Sequence, residues 1–545
     1  MKISYKGYAM EIQEGQTVSE FLSEEIEKAD VDIIACKFNN ELKRLNFKPT
    51  KGGEIELVDI GSKDGMRIYR RGLIYIVSKA FSEIYPEFKL TVNYQLHHAL
   101  FGEVTNMEIT EEVLEKINAR VKEIAQANLP IIKKKMTKEE ATSFYEKENT
   151  LRGKLQLDCK DKKEVTLYYC EDYYNYFYGI LPISTGYVKN YEIIKYHDGF
   201  AIRFPSSKTP TVLDEFKDSP KLLATLEEYE DVHKVLNIDT LHKLNTSIKE
   251  DTIKEYILLD EALHEKKVAG IADDIVKNKN VKVILIAGPS SSGKTTFSKR
   301  LELQLKLNGL DPLTISVDNY FVERDETPID EYGKYDFESI KAIDTELLNN
   351  HLIKLLNGEE IEAPTFNFFT GSKEFRGDTM KLEEGQVLVM EGIHCLNDEL
   401  TYLIPKEQKY KVYISCLTVL NLDYHNRIPT TDSRLLRRMV RDRQFRGYSA
   451  SNTLEIWPSV NRGEAKNIFP FQEQADSMFN SSLIYEIAVL KKHAVPLLSE
   501  ISKEHAGYTE ARRLLSMLRY FEDIPDDYVP NNSLIKEFIG GSIFE

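Results

Sequence analysis

VKVILIAGPSSSGKTT, residues 281–296, decides how this chain is read. The unbroken apolar run Val283-Ile284-Leu285-Ile286-Ala287 predicts a buried strand, and it leads directly into Gly288-Pro289-Ser290-Ser291-Ser292-Gly293-Lys294-Thr295. Strand, then G-x-x-x-x-G-K-[ST], then helix is the context in which that spacing cradles phosphate. Glycines let backbone N–H groups turn inward and approach anionic oxygens. The helix that begins near Lys294 aims the positive end of its dipole at the same place. Gly288, Ser290, Ser291, Ser292, Gly293, Lys294, Thr295 and Thr296 are therefore candidate triphosphate-binding positions, with Lys294 near the β- and γ-phosphates and the Thr295 hydroxyl on Mg²⁺. A chance glycine-serine turn would have no reason to lie between that strand and that helix.

Two acids follow at matching places. The run LTISV ends in Asp318-Asn319-Tyr320-Phe321, and Val387-Leu388-Val389-Met390 ends in Glu391-Gly392. An acid at the carboxyl end of a strand beside the phosphate loop sits where open α/β sheets bind ligands. There Asp318 can take a proton from an attacking hydroxyl or help hold Mg²⁺, and Glu391 is the candidate second carboxylate of the metal site. The plainer alternatives are a helix cap for Asp318 and a solvated strand end for Glu391. In RLLRRMVRDRQFR (434–446), Arg434, Arg437, Arg438 and Arg441 fall at i, i+3, i+4 and i+7 and share one helix face. Guanidinium groups suit the charge spread over a transferring phosphoryl group. Salt bridges to Asp432 and Asp442 on a solvated face are the alternative.

In chain order, GPSSSGKT, SVDNYF, YDFES, APTFNFFTGS, VMEGIHCL and RRMVRDRQFRG resemble the uridine kinase/phosphoribulokinase group of P-loop kinases over about residues 280–500. The resemblance implies an ATP-dependent transfer of the γ-phosphoryl group to a nucleoside 5′-hydroxyl, with Mg²⁺. It implies Asp318 as base, Glu391 and Thr295 at the metal, Glu338 on the ribose hydroxyls, and Tyr320, Phe366 and Arg441 at the acceptor. Arg446 would belong to a lid closing over ATP. Two departures stand out. The positions where uridine kinases carry a Tyr and a His to read the pyrimidine are Phe366 and Gly371 here, and the lid reads Arg446-Gly447-Tyr448 with one arginine fewer. Phe366 and Phe368 can stack on a base, but stacking tolerates any base, whereas hydrogen-bonding groups reject wrong substrates strongly. Phosphoryl transfer is thus better supported than uridine as the acceptor, and another nucleoside or a sugar phosphate remains an alternative. The stretch 457–481, with Trp457, Arg462, Lys466 and Phe469, departs from the same family and reads equally as part of an acceptor pocket or as an inserted surface element.

The first half has a different character. Short strands at Lys2–Tyr5, Ala9–Ile12, Asp32–Cys36 and Glu54–Val58 surround a helix at Val18–Glu27, which Thr17 and Glu20 open with a capping-box spacing. Residues 1–62 resemble a TGS domain, a small β-grasp module. Residues 63–210, from RIYRRGLIYIVSKAFSEIYP onward, predict helices at Arg67–Ile84 and Thr110–Ala125 and tyrosine-rich strands at Val165–Tyr169 and Tyr173–Tyr178. They resemble the editing domain of threonyl-tRNA synthetases. That domain's HxxxH pair falls at Arg71 and Tyr75 here, no CxxxH follows any cysteine, and the adjacent His97 and His98 point apart, so loss of editing is expected. Lys133-Lys134-Lys135 reads as a basic patch or a solvated helix end. Residues 211–279 read as a charged helical connector, residues 280–525 as the kinase domain, and the tail 523–545 as short, polar and peripheral.

The overall expectation is a multidomain α+β and α/β protein: an N-terminal β-grasp, a mixed α+β middle domain and a C-terminal P-loop kinase with a mainly parallel sheet. At 545 residues the chain is too long for one core. The first residues have no apolar core after their charges and no run of about 18 apolar residues occurs, so neither a secretory leader nor a membrane span is expected. Five scattered cysteines without CxxC suit reduced cytoplasmic thiols. A net charge of −16 disfavours generic nucleic-acid binding. A local RNA-binding surface in the N-terminal region, a nucleotide-gated RNA-binding regulator and a homo-oligomer remain open on composition alone.

Overall fold

The computed structural model describes residues 1–147, 157, 164–333, 335–367 and 370–544; Cys159 and Phe368 lie outside them. Among the described residues no helix is long and apolar enough to cross a membrane.

The first module is a five-stranded sheet. Lys2–Tyr5 pairs with Tyr8–Glu11 on one side and runs parallel to Gly53–Asp59 on the other. Ile33–Phe38 and Glu41–Arg44 complete the far edge. Thr17 and Glu20 form the reciprocal cap, with Glu20 N donating to Thr17 Oγ1 at 3.2 Å and Thr17 N donating to Glu20 Oε2 at 2.8 Å. The strand Glu41–Arg44 escaped notice because its charged residues carry no apolar alternation; Arg44 anchors it by donating to the carbonyls of Leu181, Ile131 and Pro182.

The middle region is built on the helix Lys63–Ile84, beside a four-stranded antiparallel sheet, a three-stranded sheet and the helix Glu111–Gln126 capped by Thr110. His97 and His98 occupy the turn between strands Lys89–Leu96 and Ala99–Thr105. Lys133, Lys134 and Lys135 are not a helix end. They lie on the exposed strand Ile132–Thr137 at the border of the three-stranded sheet, where lysines discourage further strand pairing.

The C-terminal half centres on a five-stranded parallel sheet in the order Asp311–Ser316, Gln386–Glu391, Val283–Ala287, Lys409–Ser415, Ser477–Asn480. Val283–Ala287 is buried at every position because both faces of a parallel sheet are covered. Alternate residues feed opposite cores. Ile284 and Ile286 join Phe297, Leu301 and Leu305 of the helix Lys294–Leu307, while Val283, Leu285 and Ala287 join Leu348, Leu352 and Leu355 of the helix Thr345–Leu356.

Three expectations need correction. The region 457–481 is not an inserted surface element: Trp457 is buried within the helix Ala450–Asn467, and Ser477–Asn480 is the fifth strand of the central sheet. The region 211–279 is more than a connector, because Ile257, Val268, Ala272 and Ile275 of the helix Ile253–Lys277 join the same core as Phe297 and Leu301. The tail is not peripheral: Leu534, Ile535 and Phe538 are fully buried. Its alternating polar residues hide this, since only one side of so short a segment faces inward.

Candidate active site

Backbone geometry shapes the phosphate loop first. Ser291 at φ 60° and Gly293 at φ 86° both turn through the left-handed region, which bends the chain sharply into the helix at Lys294. Leu534 packs so closely on Gly293 that a Cβ there would lie 2.5 Å from Leu534 Cδ2, so no side chain fits. The hydroxyls of Ser291 and Ser292 are buried without hydrogen-bond partners, and the first amides of a helix have none within it. Such a cradle fits phosphate oxygens. Lys294 Nζ meanwhile donates to the carbonyl of Gly288 at 2.9 Å, and Thr295 is exposed.

The two acids meet this loop through strand register. Glu391 stands opposite Ile286 on one neighbouring strand and Ser316 on the other, so it ends its strand beside the loop. Asp318 is two residues beyond Ser316. Its carboxyl is open to solvent yet enclosed by protein on its remaining sides; that desolvation raises its pKa, while Lys294 and then Arg446 pull it back down. Glu391 is raised by desolvation as well, opposed by Lys294 and reinforced by Asp318. Lys294 thus acts electrostatically on both acids, and strand register sets Glu391 level with Ser316, two residues before Asp318. Thr295, exposed at the start of the helix, and Glu391, at the end of its strand, are oxygen-bearing side chains of the kind a hard divalent cation takes.

Glu338 is set tightly over Gly463. Burial, followed by the neighbouring Glu464, pushes its carboxyl up to about 7, against Arg438 and Lys294. Tyr320 is buried with its hydroxyl 3.1 Å from His351 Nδ1. Phe366 is buried against Phe321, ring centroids 5.4 Å apart. Gly371 sits at φ 76°, and Arg324 lies over it where a Cβ would come within 2.5 Å of its Nε.

The arginine stripe divides in two. Arg434 and Arg437 are fully buried. Arg434 grips both carboxylate oxygens of Glu464, Nη2 to Oε2 at 2.8 Å, and donates to Ser290 O at 3.2 Å. Arg437 pairs with Glu486 and donates to the Ser481 carbonyl at 2.7 Å. These two hold the loop from beneath. Arg438 reaches into the crevice, donating to Ser290 Oγ at 2.7 Å while its Nε bonds Asp442. Arg441 lies 3.7 Å from Glu537 and stacks over Phe538; burial, then Arg446, lowers its pKa to about 10. Arg446 is half exposed beside Asp442. Asp432 pairs outside the stripe, with Arg513.

Two carboxylates that the sequence did not single out hold donors of the loop. Glu464 Oε1 accepts from Ser290 N at 2.9 Å. Glu537 Oε2 accepts from both Thr296 N, 3.2 Å, and Thr296 Oγ1, 2.8 Å. Nothing local marks either residue, because their partners lie 174 and 241 positions away.

Residues 283–487 match the model of the phosphoribulokinase/uridine kinase family. A uridine kinase of Anoxybacillus flavithermus is 29% identical over 180 residues, which is 33% of this chain and 76% of that protein. A threonine–tRNA ligase of Rubrobacter xylanophilus is 29% identical over 156 residues, 28% of this chain and 24% of the ligase. Threonine–tRNA ligase 1 of Bacillus subtilis is 26% identical over 197 residues, 36% of this chain and 31% of the ligase. The chain therefore spans less than a third of the length of either ligase.

Proposed function

Because residues 283–487 carry a phosphoribulokinase/uridine kinase family domain, we propose that the chain is an ATP-dependent kinase that transfers the γ-phosphoryl group to a nucleoside 5′-hydroxyl. The observation that carries this reading is the convergence of Lys294, Asp318 and Glu391 at the carboxyl ends of adjacent strands.

In this reading Asp318 accepts the hydroxyl proton as the new O–P bond forms and the bond to the β-phosphate oxygen breaks. Desolvation raises its pKa and so strengthens it as a base, while Lys294 and Arg446 favour its ionised form. Lys294 leaves its carbonyl contacts to meet the β- and γ-phosphates. Mg²⁺, held by Thr295 and Glu391, would supply charge neutralisation at the phosphates. Arg438 and Arg441, on the crevice side of their helix, face the charge that spreads over the equatorial oxygens. Glu338 holds the ribose hydroxyls. With a pKa of about 7 it can accept or donate a hydrogen bond there.

Uridine is the first acceptor to try, although Phe366 and Gly371 offer no hydrogen-bonding side chain to a pyrimidine edge. Mass-spectrometric screening of a nucleoside and sugar-phosphate panel with MgATP tests the reading. A phosphorylated nucleoside is expected, and ATP hydrolysis stimulated by RNA with no phosphorylated acceptor would overturn it. Asp318→Asn should lower kcat by at least about a thousandfold and leave ATP affinity within about threefold. Retained turnover would remove Asp318 from the role of base.

A further inference from the structure

A cleft between the middle region and the C-terminal half gathers five guanidinium groups. Arg67, Arg70 and Arg71 come from the helix Lys63–Ile84, Arg427 from the segment before the helix Thr430–Phe445, and Arg513 from the helix Tyr508–Leu518. Two of the five are neutralised. Arg67 binds Glu510 through both terminal nitrogens at 2.6 and 2.9 Å, and Arg513 binds Asp432 in the same forked manner at 2.6 and 2.7 Å.

The other three have only neutral partners. Arg70 donates to Gln95 Oε1 at 2.6 Å, Arg71 to the Ile180 carbonyl at 3.2 Å, and Arg427 to the Asn93 carbonyl at 2.8 Å. Among the described residues no carboxylate stands within ion-pair distance of any of them. Burial lowers all three pKa values, Arg70 to about 9 and Arg427 to about 10, and neighbouring arginines add to it at Arg70 and Arg71. A guanidinium does not shed its proton near neutral pH, so three positive charges stand half-buried in one cleft with no counter-ion among the described residues. Charge drawn partly out of water is stabilised by an anion.

We propose that this cleft binds a small phosphorylated ligand, with Arg70, Arg71 and Arg427 holding the phosphoryl group. The inner cavity, about 80 Å³, is bounded by these arginines together with Tyr178 and His425, room for a phosphoryl group and little else. It adjoins an outer chamber of about 520 Å³ that shares Arg67, Arg71, Tyr178 and Arg513 and adds Lys43 and Arg519. That chamber has the size of a small-molecule site. The small volume beside the three arginines favours a small phosphate ester over a polymer backbone, which would need a longer groove. The site also has a path to the phosphate loop: Asp432, the partner of Arg513, lies in the first turn of the helix whose Arg434 and Arg438 hold Ser290.

The test is isothermal titration of the full chain with inorganic pyrophosphate and with uridine 5′-monophosphate. Lys294→Ala identifies binding at the phosphate loop, and the double variant Arg70→Gln/Arg71→Gln removes two of the three unpaired guanidiniums. A binding event that persists in Lys294→Ala and weakens at least about tenfold in the double variant is expected. If the double variant does not fold, Arg427→Gln takes its place with the same expected loss. An isotherm that the arginine variants leave unchanged, the loss of all anion binding in Lys294→Ala, or binding of an RNA oligonucleotide with no response to either small phosphate would each overturn the proposal.

Discussion

Glu338 shows what neighbours do to a single carboxyl. Desolvation and the adjacent Glu464 raise its pKa from 4.5 to about 7. Between those two values the folded chain holds a proton at Glu338 that the unfolded chain releases, and above pH 7 the ionised carboxyl opposes folding. Stability falls as pH rises from about 4.5 to about 7. Glu338→Gln mimics the protonated form. It should raise stability at pH 8 by on the order of 1 kcal/mol and make no difference at pH 4.5; denaturant melts at the two pH values check this, and equal stabilisation at both would contradict it. Asp318 and Glu391 were legible in the sequence because each closes an apolar strand, a local signal. Glu464 and Glu537 were not, because a carboxylate on a helix surface looks alike whether it meets water or the amide of a distant loop.

The arginine helix Thr430–Phe445 makes the same point for an element. Its spacing revealed one face, and the face exists, but burial divides it into two inward residues locked in ion pairs and two at the crevice. Removing one partner of a buried pair strands the other charge. Arg434→Ala should therefore destabilise the protein by about 3–5 kcal/mol, measured by denaturant unfolding, while Arg438→Ala, which leaves buried Asp442 its contacts to Arg446 and Thr453, should destabilise it less and weaken ATP binding. Equal destabilisation by both would mean that the division is wrong. The C-terminal segment is the second element whose role depends on position. Its Glu537 carboxylate accepts from the Thr296 amide and hydroxyl, both candidate phosphate donors. Glu537→Gln weakens that contact, and ATP affinity should rise about threefold or more at unchanged magnesium concentration, since charge-assisted hydrogen bonds are the stronger ones. Unchanged affinity would show that the segment yields without cost.

At the scale of the molecule, the two halves share buried surface rather than a tether. Tyr174, Tyr176 and Tyr178 of the middle region enter the same hydrophobic cluster as Phe297 and Leu436. Tyr178 N donates to Asn426 Oδ1 at 3.0 Å, and Asn175 meets His425 at 2.8 Å. The helix Ile253–Lys277 packs into that cluster too. A fragment of residues 280–545 would expose these apolar faces. It should melt at least about 10 °C below the full chain or aggregate, because burial contributes roughly 25 cal/mol per Å². A fragment as stable as the full chain, by calorimetry, would show that the shared core contributes little.

The sequence alone was enough for the phosphate loop, the strands around it, the acids that end them and the helix that carries the arginines, since each is encoded by neighbours within about a dozen residues. It also marked the change of character between the two halves. Tertiary structure alone decided which arginines are buried, which carboxylates hold the loop, that residues 457–481 and the tail belong to the core, and that three guanidiniums share a cleft with no counter-ion among the described residues. Those outcomes depend on contacts between residues far apart in the chain, and periodicity and local propensity carry no information about which distant surface a given face will meet.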